Sequence, residues 1–181
     1  MRWKLLNNIK EIDIDWLKKN NEMIHFFGLG FIQLKINKKH RLHFYHPELP
    51  PFVESPHNHR YDFLSKTFKG SITHTFYELT SGNDWICYDE NCQKENKVDP
   101  NEFSTGVKLV EEKTISTGQE IFLDHKRFHT VKADNCITFL TRSDYKQDLA
   151  QVLLNKKDQK ICPFEKQIPE KELWDLVRSM I

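Results

Sequence analysis

The sequence predicts an all-β-dominated fold: a barrel or sandwich of short strands with a helix at each end. Three observations carry that reading. From Phe31 onward apolar residues recur with a period of two, broken by proline, glycine and asparagine at strand-length intervals. Helical periodicity is confined to the two ends of the chain. Thirteen Phe, five Tyr and four Trp within 38% hydrophobic residues are enough to core one domain of 181 residues.

Residues 1–29 read as an N-terminal helical segment. Ile9, Ile12 and Trp16 recur at helical spacing and Asp13 or Asp15 is placed to cap, so a helix is expected over Ile9 to Phe27, ended by Gly28 and Gly30. Residues 30–142 read as the β-barrel core. Phe31, Gln33 and Lys35 alternate with Ile32, Leu34 and Ile36 in a half-buried strand. Asn37-Lys38-Lys39 turns the chain, and Arg41 to His46 returns it. Pro47, Pro50 and Pro51 then take it out of the sheet, because proline has no N–H for a ladder. Two strand-like runs follow, Pro56 to Phe68 and Ser71 to Leu79, with Gly70 between them. Residues 81–105 are polar and rich in turn formers, which reads as a long surface excursion. Strand patterning resumes at Val107 to Ile115, Glu120 to Leu123 and Val131 to Thr141. In the C-terminal helical extension, 143–181, the run Asp144 to Leu154 fits helix or strand. Pro169 ahead of a stripe of Leu173, Leu176, Val177 and Met180 predicts an amphipathic helix.

A formal net charge of only +1 gives no field that would draw nucleic acid or an anionic membrane. No apolar run reaches the roughly 20 residues of a membrane span, and the N-terminus lacks a signal-peptide pattern. Four scattered cysteines make no disulfide framework. The expectation is a soluble, cytoplasmic, single-domain protein that binds neither nucleic acid nor membrane.

Among nine histidines, two places stand out. The first is His57-Asn58-His59. On a strand, residues i and i+2 share a face, so both imidazoles point one way, with Tyr61, Phe63 and Ser65 on the same side and Asp62 on the other. Paired neutral imidazoles can share a divalent metal, although a bare H-x-H also arises by chance on a polar strand. The second is Gly118 to His129, where a strand enters a polar turn and a histidine stands at the chain's return. His125, in that turn, reads as solvated. Cys87 and Cys92 with His125 and His129 have a zinc-finger-like pattern, but the loop between the pairs is much too long for a finger.

Taken together, the two segments resemble the two motifs of the cupin superfamily, G-x5-H-x-H-x(3,4)-E-x6-G and G-x5-P-x-G-x2-H-x3-N. His57, His59 and Gly70 fall in the first pattern; Gly118 and His129 fall in the second. Asp124 stands where proline is usual, Lys126 where the second glycine is usual, and Ala133 where asparagine is common. Glu54 or its neighbours occupy the opening glycine position, and Phe63, or Asp62 with one residue of slippage, takes the place of the glutamate.

The resemblance implies a double-stranded β-helix, the jelly-roll barrel, with His57, His59 and His129 converging on one metal. Without the glutamate the site looks like a three-histidine cupin, similar in that respect to thiol dioxygenases. It implies a divalent cofactor, iron(II) first, with nickel, manganese or zinc as alternatives, and a dioxygenase reaction on a small molecule. His74 is a possible fourth ligand or pocket residue, and Tyr61, Ser65, Tyr77 and His43 are candidates for the substrate pocket. No residue is assigned a catalytic role. The alternative function is a non-catalytic barrel that binds or sequesters a small polar ligand; a third is a scaffold whose excursion 81–105 docks a protein. A homodimer is expected by analogy. Because histidines ligate only when neutral, metal should be lost on acidification through about pH 5–6.

Overall fold

Asp13 opens the first helix. In the computed structural model, which describes residues 12–49, 54–90, 101–159 and 167–181, its carboxylate accepts the Trp16 N–H at 3.0 Å, an N-cap for α1 (Ile14–Asn20). The helix stops there, well short of the predicted Phe27. Asn20 and Asn21 turn their side-chain amides back onto the carbonyls of Trp16, Leu17 and Lys18, satisfying acceptors that a helix end leaves open. Met23–Phe27 is instead strand β1, paired antiparallel with β2 (Phe31–Lys35). The glycines read as a helix stop are a hairpin turn, with Gly30 at φ 85°. Pairing with β2 gives this apolar run a ladder, so the helical spacing of Ile9, Ile12 and Trp16 does not extend through it.

The remaining elements are β3 (His40–Tyr45), β4 (Phe63–Glu90), β5 (Glu102–Ser116), β6 (Glu120–Leu123), β7 (Phe128–Arg142), β8 (Ala150–Asn155) and α2 (Glu170–Met180). The strands form one curled antiparallel sheet in the order β1-β2-β3-β7-β4-β5, with β6 and β8 also on β4. Strand β4 is its spine. One edge carries β7 along 63–77 and β8 along 85–90; the other carries β6 along 63–66 and β5 along 71–88.

Three expectations change here. Gly70 does not divide two strands but lies inside β4, at a register shift between Lys69 and Ser71. Its φ is +72°, and a Cβ there would come within 2.6 Å of the Asn135 carbonyl oxygen, so the site needs glycine for both conformation and space. The excursion 81–105 is largely strand: 81–90 completes β4 and β5 begins at Glu102, while 91–100 lie outside the described residues. Residues 81–84 and 101–104 are strand or strand-flanking backbone facing water, whereas Cys87 and Tyr88 are buried. The ambiguous run before Leu154 resolves as β8, so the C-terminal extension holds a strand as well as a helix.

Both faces of the sheet are covered. On one, Leu34, Leu42, Phe44, Ile137 and Phe139 pack with Leu17 of α1 and with Leu173, Trp174, Val177 and Met180 of α2. The neighbouring parity turns Phe31, Tyr45, Cys136 and Leu140 inward, to meet Phe63, Ile72, Phe76, Ile121 and Leu123. The fold is strand-dominated, as the patterning predicts. Among the described residues no helix is long and apolar enough to cross a membrane.

Candidate metal centre

His57 and His59 precede the β4 ladder, which starts at Phe63 and not at the predicted Pro56. Isolated backbone bonds, such as those from the Asn58 and His59 amides to the Gln151 and His125 carbonyls, and side chains together replace a continuous ladder. Buried Asn58 accepts the Gln151 amide at 2.7 Å, and Asp62 accepts the His125 amide at 2.9 Å. His57 itself forms an isolated bridge with His129: its amide donates to the His129 carbonyl at 3.0 Å, and its carbonyl accepts the His129 amide at 2.9 Å. His129 is the second residue of β7, which begins three residues earlier than its pattern suggests. The i, i+2 sidedness holds without a continuous strand. The His57 and His59 rings lie 4.9 Å apart, and each is 5.1 Å from the His129 ring.

One ring nitrogen from each of the three histidines falls within 4.8 Å of the others, a group that could hold a metal ion. His59 Nε2 and His129 Nε2 are 2.8 Å apart. Adjacent nitrogens on one ion, at metal–nitrogen lengths of about 2.0–2.1 Å, sit roughly 3 Å apart, so the spacing fits a shared ion. The far sides of two rings are held as well. His57 Nδ1 is 3.2 Å from the Ser55 carbonyl and 3.5 Å from a Glu54 carboxylate oxygen. His129 Nδ1 is 3.0 Å from His74 Nδ1. Ligating histidines characteristically have the second nitrogen fixed in this way. With Nε2 turned to an ion, His129 must donate from Nδ1, leaving the His74 proton on Nε2, which is buried without a partner.

Burial keeps these imidazoles in the ligating form. Desolvation, then the neighbouring histidines, holds His59 and His129 well below the usual histidine range. Desolvation also lowers His57, and it brings His74 down to about 4. Glu54, whose second oxygen accepts the Val131 amide at 2.5 Å, is pushed up to about 8 by burial against the pull of that bond.

The other sequence candidates separate. Tyr61 is buried beside His59, ring centroids 5.9 Å apart, and its hydroxyl accepts from Arg41 Nη1 at 2.7 Å. Phe63 sets its ring edge-on to His59 at 4.7 Å, so the glutamate position of the motif is filled by an aromatic wall. Asp62 does not substitute for it: its Oδ1 accepts from both His125 N and, at 2.7 Å, His125 Nδ1. His125 is therefore half-buried and paired, not solvated. Asp62, Asp124 and His125 form a second close group, whose geometry those bonds explain.

Ser65 is buried on β4. His43 lies against Phe31 at 4.7 Å and within 3.3 Å of Gln33 Nε2, and burial pushes it down to about 3. Tyr77 packs with Trp85 and Val107 around Cys87, Phe128 and Leu153, a different cluster from the one holding Tyr61. Cys87 is thus a packing residue, and Cys92 lies outside the described residues. Sequence reasoning missed Glu54 and Arg41 as neighbours of the group. Arg41 had a usable signal, since it shares strand parity with His43 and Tyr45.

No protein-family model matches the chain, and no curated protein matches its sequence. Fold and site together define a strand-dominated protein with a three-histidine group, His129 buried and His57 and His59 half-buried, that could hold a metal ion.

Proposed function

We propose that this chain is a metal-dependent cupin-type protein, in the first instance an iron(II) dioxygenase, acting on a small molecule at the His57, His59 and His129 centre. The observation that carries the reading is the convergence of three neutral imidazole nitrogens, within 4.8 Å of one another, from two segments that pair through their backbones. The cupin assignment is supported by the two-motif spacing and by Gly70 standing where only glycine fits. A bound divalent ion, iron(II) or alternatively nickel, manganese or zinc, would supply positive charge and open coordination positions for oxygen-dependent chemistry. The chain's own residues hold the three rings. The Ser55 carbonyl and Glu54 fix His57, His74 fixes His129, and Phe63 and Phe76 keep water from their flanks. A homodimer and a cytoplasmic setting belong to the same reading.

One observation favours a metal-free binding module instead. His59, His129 and His74 can satisfy one another as a hydrogen-bonded chain of neutral imidazoles. Oxygen uptake separates the readings. Iron(II)-loaded protein, screened with small thiols and carboxylic acids, should consume oxygen faster than His59→Ala treated identically. No uptake across the panel with iron fully bound would give the function to the binding module.

A further inference from the structure

Asn58 stands between two candidate ligands, and by alternation its side chain turns the opposite way from the His57 and His59 rings. It is only 2% exposed, so its amide needs partners within the protein. They come from the run that leads into β8. Asn58 Oδ1 accepts the Gln151 N–H at 2.7 Å and Gln147 Nε2 at 3.2 Å, while Asn58 Nδ2 donates to Gln151 Oε1 at 3.3 Å. Gln147 Nε2 also donates to the His59 carbonyl at 3.0 Å. Gln151 Nε2 donates to Asp89 Oδ1 at 3.3 Å, and Asp89 Oδ2 accepts from Asn101 Nδ2 at 3.1 Å.

These bonds make one directed relay from Asp89 on β4 to the backbone of His59. Two groups that cannot reverse set its direction. The Asp89 carboxylate only accepts, so Gln151 turns its side-chain nitrogen there and its oxygen toward Asn58. The Gln151 backbone N–H only donates, so it takes Asn58 Oδ1 and leaves Nδ2 for the Gln151 oxygen. Position 58 therefore needs an acceptor and a donor in the places asparagine puts them. Aspartate has the same shape but sets oxygen against oxygen. The main chain is tied to the same run, with the Asn58 N–H on the Gln151 carbonyl at 3.0 Å and the Lys146 N–H on the Arg60 carbonyl at 2.7 Å.

We infer that Asn58 is a positioning residue for the three-histidine centre, fixing the backbone of His57 and His59 through Gln147, Gln151 and Asp89 so that both rings meet His129. What it serves rests on the metal reading above, but the relay is a property of the metal-free fold. A change at Asp89, on the far side of Gln151, should therefore be felt at the histidine rings.

The test combines calorimetric zinc titration with NMR of the histidine ring resonances, on full-length wild type, Asn58→Asp, and Asn58→Asp combined with Asp89→Asn. Asn58→Asp should bind zinc about 10-fold to 100-fold more weakly and move the His57 and His59 ring signals in metal-free protein. Adding Asp89→Asn lets Gln151 reverse, turning its nitrogen to the carboxylate at 58 and its oxygen to the amide at 89. The double variant should recover most of the affinity and the wild-type ring signals, a rescue that a space-filling role for Asn58 does not produce. If Asn58→Asp does not fold, Gln151→Met, which cuts the relay at a half-buried position and keeps the backbone amide, should weaken zinc by about 10-fold and move the same signals. Unchanged affinity and ring signals in the folded single variants, or equal losses in Asn58→Asp and the double variant, overturn the inference. Wild type that binds no zinc removes the metal reading instead, and the ring signals of the metal-free variants then decide whether Asn58 positions the histidines.

Discussion

His129→Ala should bind a divalent ion at least about 100-fold more weakly than wild type. Losing an outer partner of a metal-bound histidine typically costs 10-fold to 100-fold, so losing a ligand should cost more. His129 has the largest expected effect because it joins the two halves of the group, with Nε2 on the His59 side and Nδ1 on the His74 side. His57→Ala and His59→Ala should fall in the same range, and His74→Ala should lose about 10-fold to 100-fold through His129 alone. His125→Ala should leave affinity unchanged, since that imidazole is committed to Asp62. Calorimetric zinc titration of folded variants measures all five. Equal affinity for wild type and the three ligand variants would remove the histidines from metal binding.

Phe76→Ala should be the most destabilising single truncation at the site, by about 3–5 kcal/mol. The ring is fully buried and stacks on both His74 and His129, with centroids at 5.9 and 6.1 Å. The Arg127 guanidinium covers it at 3.6 Å, and Arg127 is in turn paired with Glu111. Truncation therefore removes apolar burial, a cation–π contact and the wall behind two imidazoles. For a chain of this size the melting temperature should drop by roughly 10 °C, whereas Phe76→Leu, which keeps most of the volume, should cost about 1 kcal/mol. A melting curve for Phe76→Ala within a degree of wild type would mean that the ring is not the packed support described here.

Much of this arrangement is legible in the residues. Alternation marks β6 because one face lies against a core, apolar runs mark β2 and β3 because both their faces are covered, and the stripe Leu173, Leu176, Val177, Met180 marks α2 because it seals the sheet. The His57 and His59 sidedness also holds, although isolated backbone bonds to His129, Gln151 and His125, with the Asn58 and Asp62 side chains, hold the segment instead of a continuous ladder. Other features depend on partners distant in sequence. Met23 to Phe27 falls within the expected helix, but it pairs in a hairpin with β2, which the spacing of Ile9, Ile12 and Trp16 could not show. Over 78–84 of β4 and 108–114 of β5 the side chains face water on both sides of the ribbon, so those parts leave no buried alternation to detect. Gly70 looks like a terminator until the Asn135 carbonyl is seen pressed against it. The contact of Arg41 with Tyr61 likewise joins residues distant in sequence, whereas Glu54 meets His57 from three residues away.

The decisive measurement is elemental analysis of full-length protein purified without chelators or a metal-binding tag, then reconstituted anaerobically with iron(II). Three converging histidines predict about one equivalent of divalent metal per chain, lost in His59→Ala. Well-folded wild-type protein that holds no metal after reconstitution would contradict a metal centre and leave a ligand-binding β protein in its place.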